Sequence, residues 1–349
     1  VLLVSERAHL VYRPALPWLL LGQRCLEDLL VALPARMARH GVEFLQDRVE
    51  GFDRARGAVR LSRGGWLTYD YLVVATGAAP YLPWPGSSRA VPFLWPDQVL
   101  EARRQLDGLT SARPSVAVVI APGCPVPCGG YEVAFLLDDE LRRRGMRHRT
   151  DIHVVTGEQR PLEWMGPFAV EVVSRWAERC SIHLHTGQHP ASMDSAGLRL
   201  AGGTHVPADL ILLFPRYRGP ACLAGLDGLL DTEGFVVVTD SMRSAADDRV
   251  FAVGDVISRT GPKTGFMAEM QGKVAARALA DTALGRPTQA SFDSRLLCLM
   301  DGGGRRRGLG VLRRPGPPAE DPHTLVAFSG LLPRLLKQAF ERFYVRFGV

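Results

Sequence analysis

Cys124 and Cys128 stand in the loop Pro122-Gly123-Cys124-Pro125-Val126-Pro127-Cys128-Gly129-Gly130, where thiols and glycines meet. A β-branched run over residues 115–120 precedes this loop, and an amphipathic segment over 131–144 follows it, closed by Gly145. Strand, loop and helix in that order open a nucleotide-binding βαβ unit. Such a unit normally carries Gly-x-Gly-x-x-Gly, because only glycine lets the backbone close around a pyrophosphate. Here prolines at 122, 125 and 127 remove amide donors, and two thiols occupy the place of the phosphate. The loop reads as a dinucleotide fold whose cofactor site has been rebuilt as a cysteine site. A Cys-x-x-x-Cys half zinc site is the competing chemistry, but no second pair at ligand spacing accompanies it, and no metal is expected.

Bulk composition narrows the class. The 349 residues suit two domains, each able to bury a core, and 46% hydrophobic with 22% charged residues argues against extensive disorder. Six cysteines in a chain of this length are not a disulfide scaffold. Net charge is +6, and lysine occurs only at 263, 273 and 337, so the positive charge is almost all arginine. No basic run is interleaved with aromatics, which speaks against nucleic acid. An anionic membrane surface suits the charge better. No apolar run reaches the roughly 18 residues of a membrane-spanning helix.

The elements that must position these residues follow in order. Residues 1–5 read as a buried-type strand ending at Glu6, the place where an acid binds ribose hydroxyls about 20 residues after a Gly-rich loop. No first strand or Gly-rich loop precedes it, so roughly 30 residues of a βαβ unit are expected to be missing. A helical pattern covers 23–40, and short strands are expected at 42–45, 59–61 and 67–69. Residues 69–77 run from a strand into Ala75-Thr76-Gly77, whose small side chains allow a cofactor close approach. The Pro- and Gly-rich stretch 80–96 reads as a crossover linker. In the second unit, 152–156 and 210–214 are strands and 168–178 a helix; Glu158 is the acid a dinucleotide site would want, without the Gly-rich loop that would give it meaning. Strand pattern returns at 235–239 and 250–253, where Gly254-Asp255 closes the strand and can orient a cofactor or cap a helix. Lys263-Thr264-Gly265 then leads into a helix over 266–284.

Glu6, the 69–77 stretch, the cysteine loop, Phe251-Ala252-Val253-Gly254-Asp255 and Pro262-Lys263-Thr264-Gly265 together resemble the flavin disulfide-reductase superfamily. Within it, Pro14-Ala15-Leu16-Pro17-Trp18, the cysteine loop with Tyr131-Glu132, and Pro-Lys-Thr-Gly are similar to sulfide:quinone oxidoreductases. The resemblance covers nearly the whole chain and implies an α/β fold of two Rossmann-like, doubly wound domains with a C-terminal amphipathic segment. The division it implies is a first part of an FAD-binding domain at 1–112, a second Rossmann-like domain with the cysteine loop at 113–232, the rest of the FAD domain at 233–290, and a membrane- and quinone-associated segment at 291–349. FAD is the implied cofactor, held by Glu6, Arg7, Pro17, Trp18, Ala75, Thr76, Gly77, Gly254, Asp255, Lys263, Thr264 and Gly265. The third cysteine of many members is replaced here at Leu94 and Trp95, a difference of subtype.

The same resemblance implies oxidation of sulfide to sulfane sulfur through a cysteine pair, with electrons passed to membrane quinone. Its distant redox cysteine maps to Cys298. For the loop partner, Cys128 is preferred because it adjoins the glycines and the helix N-terminus, where a thiolate is stabilised. Cys124 stays as the alternative or as a holder of a sulfur chain. Glu132 is a proton acceptor or a first-turn helix acid. Lys263 precedes a helix whose positive end would favour anionic reduced flavin. Cys25, Cys180 and Cys222 read as packing residues. In the last segment Leu332, Leu335, Leu336, Ala339, Phe340, Phe343 and Phe347 repeat at helical spacing, with Arg334, Lys337, Arg342 and Arg346 on the other side. That basic amphipathic helix reads as a membrane-surface binder, with Phe340, Phe343 and Tyr344 implied to line a quinone pocket. A peripheral protein, of a bacterial inner membrane, is the implied location, and a homo-oligomer is open. The rivals are a flavocytochrome c-type sulfide dehydrogenase, a type II NADH:quinone dehydrogenase, which would need a Gly-rich second loop, and a flavin-free, non-catalytic remnant.

Overall fold

In the computed structural model, residues 1–259, 261–304, 307–314 and 323–347 are described, and they divide into two compact units. The first comprises residues 1–10, 31–80 and 217–294; the second comprises 11–30, 81–216 and 295–349. Residues 11–30 and the described residues from Arg295 onward thus pack with the cysteine loop in the second unit.

The second unit is built on a five-stranded parallel sheet in the order Val91–Pro92, Leu210–Phe214, Ser115–Ile120, Asp151–Thr156, His183–His185. Its central strand is buried along its whole length, which explains the continuous β-branched run: a parallel strand covered on both faces has no polar side. Val116, Val118 and Ile120 face one core with Phe135, Leu136 and Leu137 of the central helix, Pro127–Arg143. Ala117 and Val119 face the other core, against Leu198 and Val206 of a small antiparallel sheet. The stretch expected as a linker supplies the edge strand Val91–Pro92, because Val91 pairs in register with Leu212.

Two further elements close over the central helix. Leu296–Asp301, Gly308–Arg314 and His323–Ser329 form an antiparallel sheet, and the terminal helix Leu331–Phe347 follows it. Within the expected segment 291–349, the described elements are therefore a sheet and a helix.

The first unit has two parallel pairs, Leu2–Ser5 with Glu43–Gln46 and Leu72–Val74 with Val250–Ala252, which do not pair with each other. An antiparallel sheet of Val49–Asp53, Ala58–Leu61 and Trp66–Thr68 and the helix Gly265–Ala283 complete it. Two local expectations fail. Residues 23–40 are not one helix: a strand, Leu30–Ala32, comes before the short helix Leu33–Arg39, where Pro34 fits an N-terminal turn and not a helix interior. Residues 235–239 make only isolated bridges, because Val236 partners Leu230 and Ile257 while Val238 partners Ser244.

Candidate active site

The central helix begins at Pro127, whose missing N–H costs nothing in a first turn, and this puts Cys128 at the helix start. Gly129 and Gly130 let that first turn press onto the sheet. A Cβ on Gly130 would lie 2.5 Å from Ile120 Cγ1, and one on Gly129 would lie 3.0 Å from the Phe214 ring. These glycines serve helix–strand contact, the packing role a Rossmann loop assigns to its last glycine.

Cys298 lies in the strand Leu296–Asp301 and reaches the same place. Cys128 and Cys298 are 9% and 8% exposed and share one buried cluster, where their thiols act on each other. The neighbouring Cys128 thiol, together with burial, holds the Cys298 thiol well above the ordinary range. Both thiols are free, as are the other four. Cys124 sits in the loop itself, half-buried, with its thiol pushed up to about 12 by burial and, less strongly, by Cys128 and Glu158. Among the others, Cys180 is buried against the Arg307 guanidinium, Cys222 is half-buried, and Cys25 is exposed and bonds Asp28 at 3.0 Å, so Cys25 is not a packing residue.

One turn along the central helix, Glu132 is buried, and its Oε1 accepts from the Asp301 amide at 3.1 Å and from Lys337 Nζ. Its carboxyl is pushed up to about 7 by burial; the Lys337 ammonium opposes the rise and Asp301 adds to it. Asp301 is fully buried and accepts from Trp18 Nε1 at 3.0 Å and the Gly303 amide at 3.0 Å, with Arg334 Nε 3.3 Å away. Lys337 and Arg24 lie on the Trp18 ring, each 5.0 Å from its centroid. Arg24 also grips Glu341 with two bonds, of 2.8 and 2.7 Å. The sequence pattern had put Lys337 on the wet side of the terminal helix. It is 4% exposed, because the core beneath it holds Glu132.

Leu331, Leu332, Leu335, Phe340, Phe343 and Phe347 are exposed, while Lys337 and Glu341 face inward. Of the expected quinone-pocket residues, Phe343 is 54% exposed and 6.0 Å from Tyr344, and Tyr344 stacks on Tyr12 at 5.7 Å. Burial and the nearby Glu341 and Glu132 hold the Tyr12 phenol protonated. No described helix is long and apolar enough to cross a membrane.

The expected cofactor residues divide between the units. Pro17 and Trp18 are buried in the second unit, where Trp18 holds Asp301. The rest lie in the first. Glu6, exposed at a strand end beside Arg7, lines an open cavity of about 240 Å³ with Gln46, Asp47, Arg48, Ser62 and Arg63. Ala75 and Thr76 are exposed, and Gly77 adopts φ +71° with nothing within 4 Å of where a Cβ would stand. Gly254, at φ +79°, donates its amide to buried Gln271. Gly265 opens the helix Gly265–Ala283 and likewise faces empty space. Lys263 turns inward, donating to the Ile257 carbonyl at 2.7 Å with its ammonium 4.4 Å over Phe235. An acid at a strand end, an open Gly turn and an uncovered helix N-terminus suit the ribose and phosphate portions of a flavin nucleotide. No three His, Cys, Asp or Glu side chains among the described residues are grouped to hold a metal.

Sequence reasoning missed Asp301, Arg334 and the inward role of Lys337. Asp301 is joined to Trp18 and Lys337 to Glu132 across more than two hundred residues, and Arg334 reaches Asp301 from the terminal helix, none of it with a local signal. A burial-minded reading of the lone lysine in an otherwise arginine-rich helix would have been the one clue.

The model of the pyridine nucleotide-disulphide oxidoreductase family matches residues 1–272. The sulfide-quinone reductase of Aquifex aeolicus is 25% identical over 99% of this chain and 84% of its own length. The mitochondrial sulfide:quinone oxidoreductase of Dictyostelium discoideum is 24% identical over 74% of this chain and 60% of its own. In structure, the chain is similar to the sulfide:quinone oxidoreductase of Aquifex aeolicus, with a TM-score of 0.90, 23% identity, and coverage of 99% of this chain and 85% of the other. The doubly wound α/β architecture implied by the sequence is thus the architecture found.

Proposed function

This chain belongs to the pyridine nucleotide-disulphide oxidoreductase family, and on that premise we propose that it oxidises sulfide to sulfane sulfur at Cys128 and Cys298 and passes the electrons to quinone at a membrane surface. The observation that carries the reading is the pair of free thiols buried in one cluster beside Glu132. Two thiols in contact are the reduced form of a dithiol/disulfide couple. With that couple oxidised, hydrosulfide attacks the Cys128 sulfur, the S–S bond breaks, and Cys128 keeps a persulfide while Cys298 leaves as thiolate. Glu132, with its carboxyl near neutrality, accepts the proton of the incoming hydrosulfide, and the Lys337 ammonium stabilises the anionic form.

FAD, when bound, supplies the acceptor for the electron pair left on Cys298. Glu6, Arg7, Ala75, Thr76, Gly77, Gly254, Asp255, Thr264 and Gly265 would hold it. Lys263 belongs to that group as a support for the turn before the helix, since its ammonium is engaged internally. The outward apolar face of the terminal helix supports a peripheral seat on a membrane, where a quinone dissolves. Phe340, Phe343 and Tyr344 would offer it aromatic surface.

Anaerobic absorbance of the flavin-loaded protein tests the reading. Sulfide should bleach the flavin band of the wild-type protein and leave that of Cys298→Ser unbleached. Bleaching by NADH with no response to sulfide would overturn it.

A further inference from the structure

Asp301 joins the two elements that carry the thiols. It ends the strand Leu296–Asp301, just beyond Cys298, and its amide donates at 3.1 Å to Glu132, one turn past Cys128 on the central helix. Its carboxylate is fully buried and receives donors on both oxygens. Trp18 Nε1 and Arg334 Nε lie 3.0 and 3.3 Å from Oδ2, and the Gly303 amide lies 3.0 Å from Oδ1. Any turn of that carboxylate would leave a buried donor without its acceptor, so it is fixed in one orientation. The turn it holds is pressed onto the central helix. Gly303 adopts φ +70°, and a Cβ there would lie 2.9 Å from Asp139 Cβ and 3.2 Å from the Phe135 carbonyl oxygen. Arg334, from the terminal helix, also donates to the Gly304 carbonyl. One buried carboxylate thus sets the strand of Cys298 against the helix of Cys128.

The groups that act on Glu132 come from every element around it. They are Lys337 on the terminal helix, Asp301 and Cys298 on the strand, Tyr12 in the segment before Trp18, and Cys128 one turn back on its own helix. Resting on the sulfide reading above, we infer that Asp301 is a positioning residue for sulfide oxidation, whose amide holds the Glu132 carboxyl beside the thiol pair and whose buried negative charge lies against it. Lys337 favours the ionised form of Glu132 and Asp301 opposes it. Without the Asp301 charge, Glu132 ionises at lower pH and is a weaker base toward the proton of hydrosulfide.

Infrared spectroscopy of the reduced full chain, with neither sulfide nor quinone added, tests this directly. The carbonyl stretch of a protonated carboxyl is followed as pH rises, and the band missing from Glu132→Gln belongs to Glu132. In Asp301→Asn that band should vanish about one pH unit lower than in wild type, a tenfold loss of proton affinity. A band that titrates as in wild type overturns the inference. Loosening alone would also lower the affinity, by admitting water, and Asp301→Asn with Arg334→Gln separates the two causes. With both charges gone, the titration should return toward that of wild type; a midpoint as low as that of Asp301→Asn, or lower, overturns the role of the charge. Arg334→Gln alone decides the matter if Asp301→Asn does not fold. It leaves the Asp301 charge uncompensated, so the Glu132 band should persist to higher pH, and a band that stays or moves lower overturns the inference. Flavin bleaching by sulfide tests the premise separately. If wild type does not bleach, the sulfide reading falls while the infrared titration still decides the hold of Asp301 on Glu132. If it bleaches, the acid limb of its rate should move to lower pH in Asp301→Asn by the same unit, and an unmoved limb removes Asp301 from the reaction alone.

Discussion

Lys337 and Glu132 form a buried ion pair between the terminal helix and the central helix, 205 residues apart in sequence. The pair fixes the face the terminal helix turns inward, since Lys337 also lies on Trp18 and Glu132 also receives the Asp301 amide. Removing one member strands the other in the interior. Lys337→Met should therefore destabilise the fold by roughly 3–5 kcal/mol, and Lys337→Met with Glu132→Gln should recover much of the loss, because burial then involves no lone charge. Urea denaturation of the two variants measures this. Equal losses in both would show that the lysine matters for packing and not for charge.

Of the two glycines in the first turn of the central helix, Gly130 is pressed harder onto the sheet. Gly130→Ala would bring its methyl to 2.5 Å from Ile120 Cγ1, well inside contact, so helix or strand must shift. A loss of about 1–3 kcal/mol is expected, with part of it restored by Ile120→Ala in the same chain. A Gly130→Ala protein as stable as wild type in urea would mean that the loop's glycines are there for something other than this contact.

These two contacts mark what sequence can and cannot reveal. The strand Ser115–Ile120 and the central helix were legible, since a β-branched run and an amphipathic run each carry their own period. So was the helix Gly265–Ala283, whose Thr264 caps it by accepting from the Met267 amide. Lys337 was misjudged because periodicity assigns every charge to water, and only the distant Glu132 overrules it. Residues 23–40 were misjudged because apolar residues at mixed spacing mimic a helix when the strand partner lies elsewhere. The nearness of Cys298 to Cys128 follows from no spacing at all. It came from family resemblance, and the fold then buried both thiols in one cluster.

Acid should weaken the sheet of the second unit. His153 is buried between His183 and His185, 3.1 Å from the His185 ring nitrogen, and its basicity is lowered from 6.5 to about 4 by burial and by the two neighbouring rings. Between those values the unfolded chain binds a proton that the folded one refuses, so this group's share of stability is lost as pH falls from about 6.5 toward 4. Glu132 acts in the opposite sense. Its carboxyl is raised from 4.5 to about 7, so its share is present at low pH and lost as pH rises through that window. In His153→Leu the histidine limb disappears, and stability between pH 4 and 6.5 should rise less with pH than in wild type. Parallel slopes for the two proteins in urea titrations would rule the histidine out.

The outward face of the terminal helix makes the most direct prediction about the membrane. Leu332 and Phe343 are 56% and 54% exposed, and nothing in the described chain covers them. Arg342 and Arg346 stand exposed on the same helix, where they can meet anionic headgroups while the apolar side chains enter the acyl boundary. At about 1.5 kcal/mol for each apolar side chain withdrawn from water, Leu332→Glu with Phe343→Glu should weaken binding to phosphatidylglycerol-containing vesicles by roughly a hundredfold. Arg342→Gln with Arg346→Gln should weaken it less, by an amount that shrinks as salt is added, because only the electrostatic part is screened. Cosedimentation distinguishes the two contributions. Vesicle binding unchanged by the glutamates would mean that this face is covered by something other than lipid, and the quinone would then have to reach the protein by another surface.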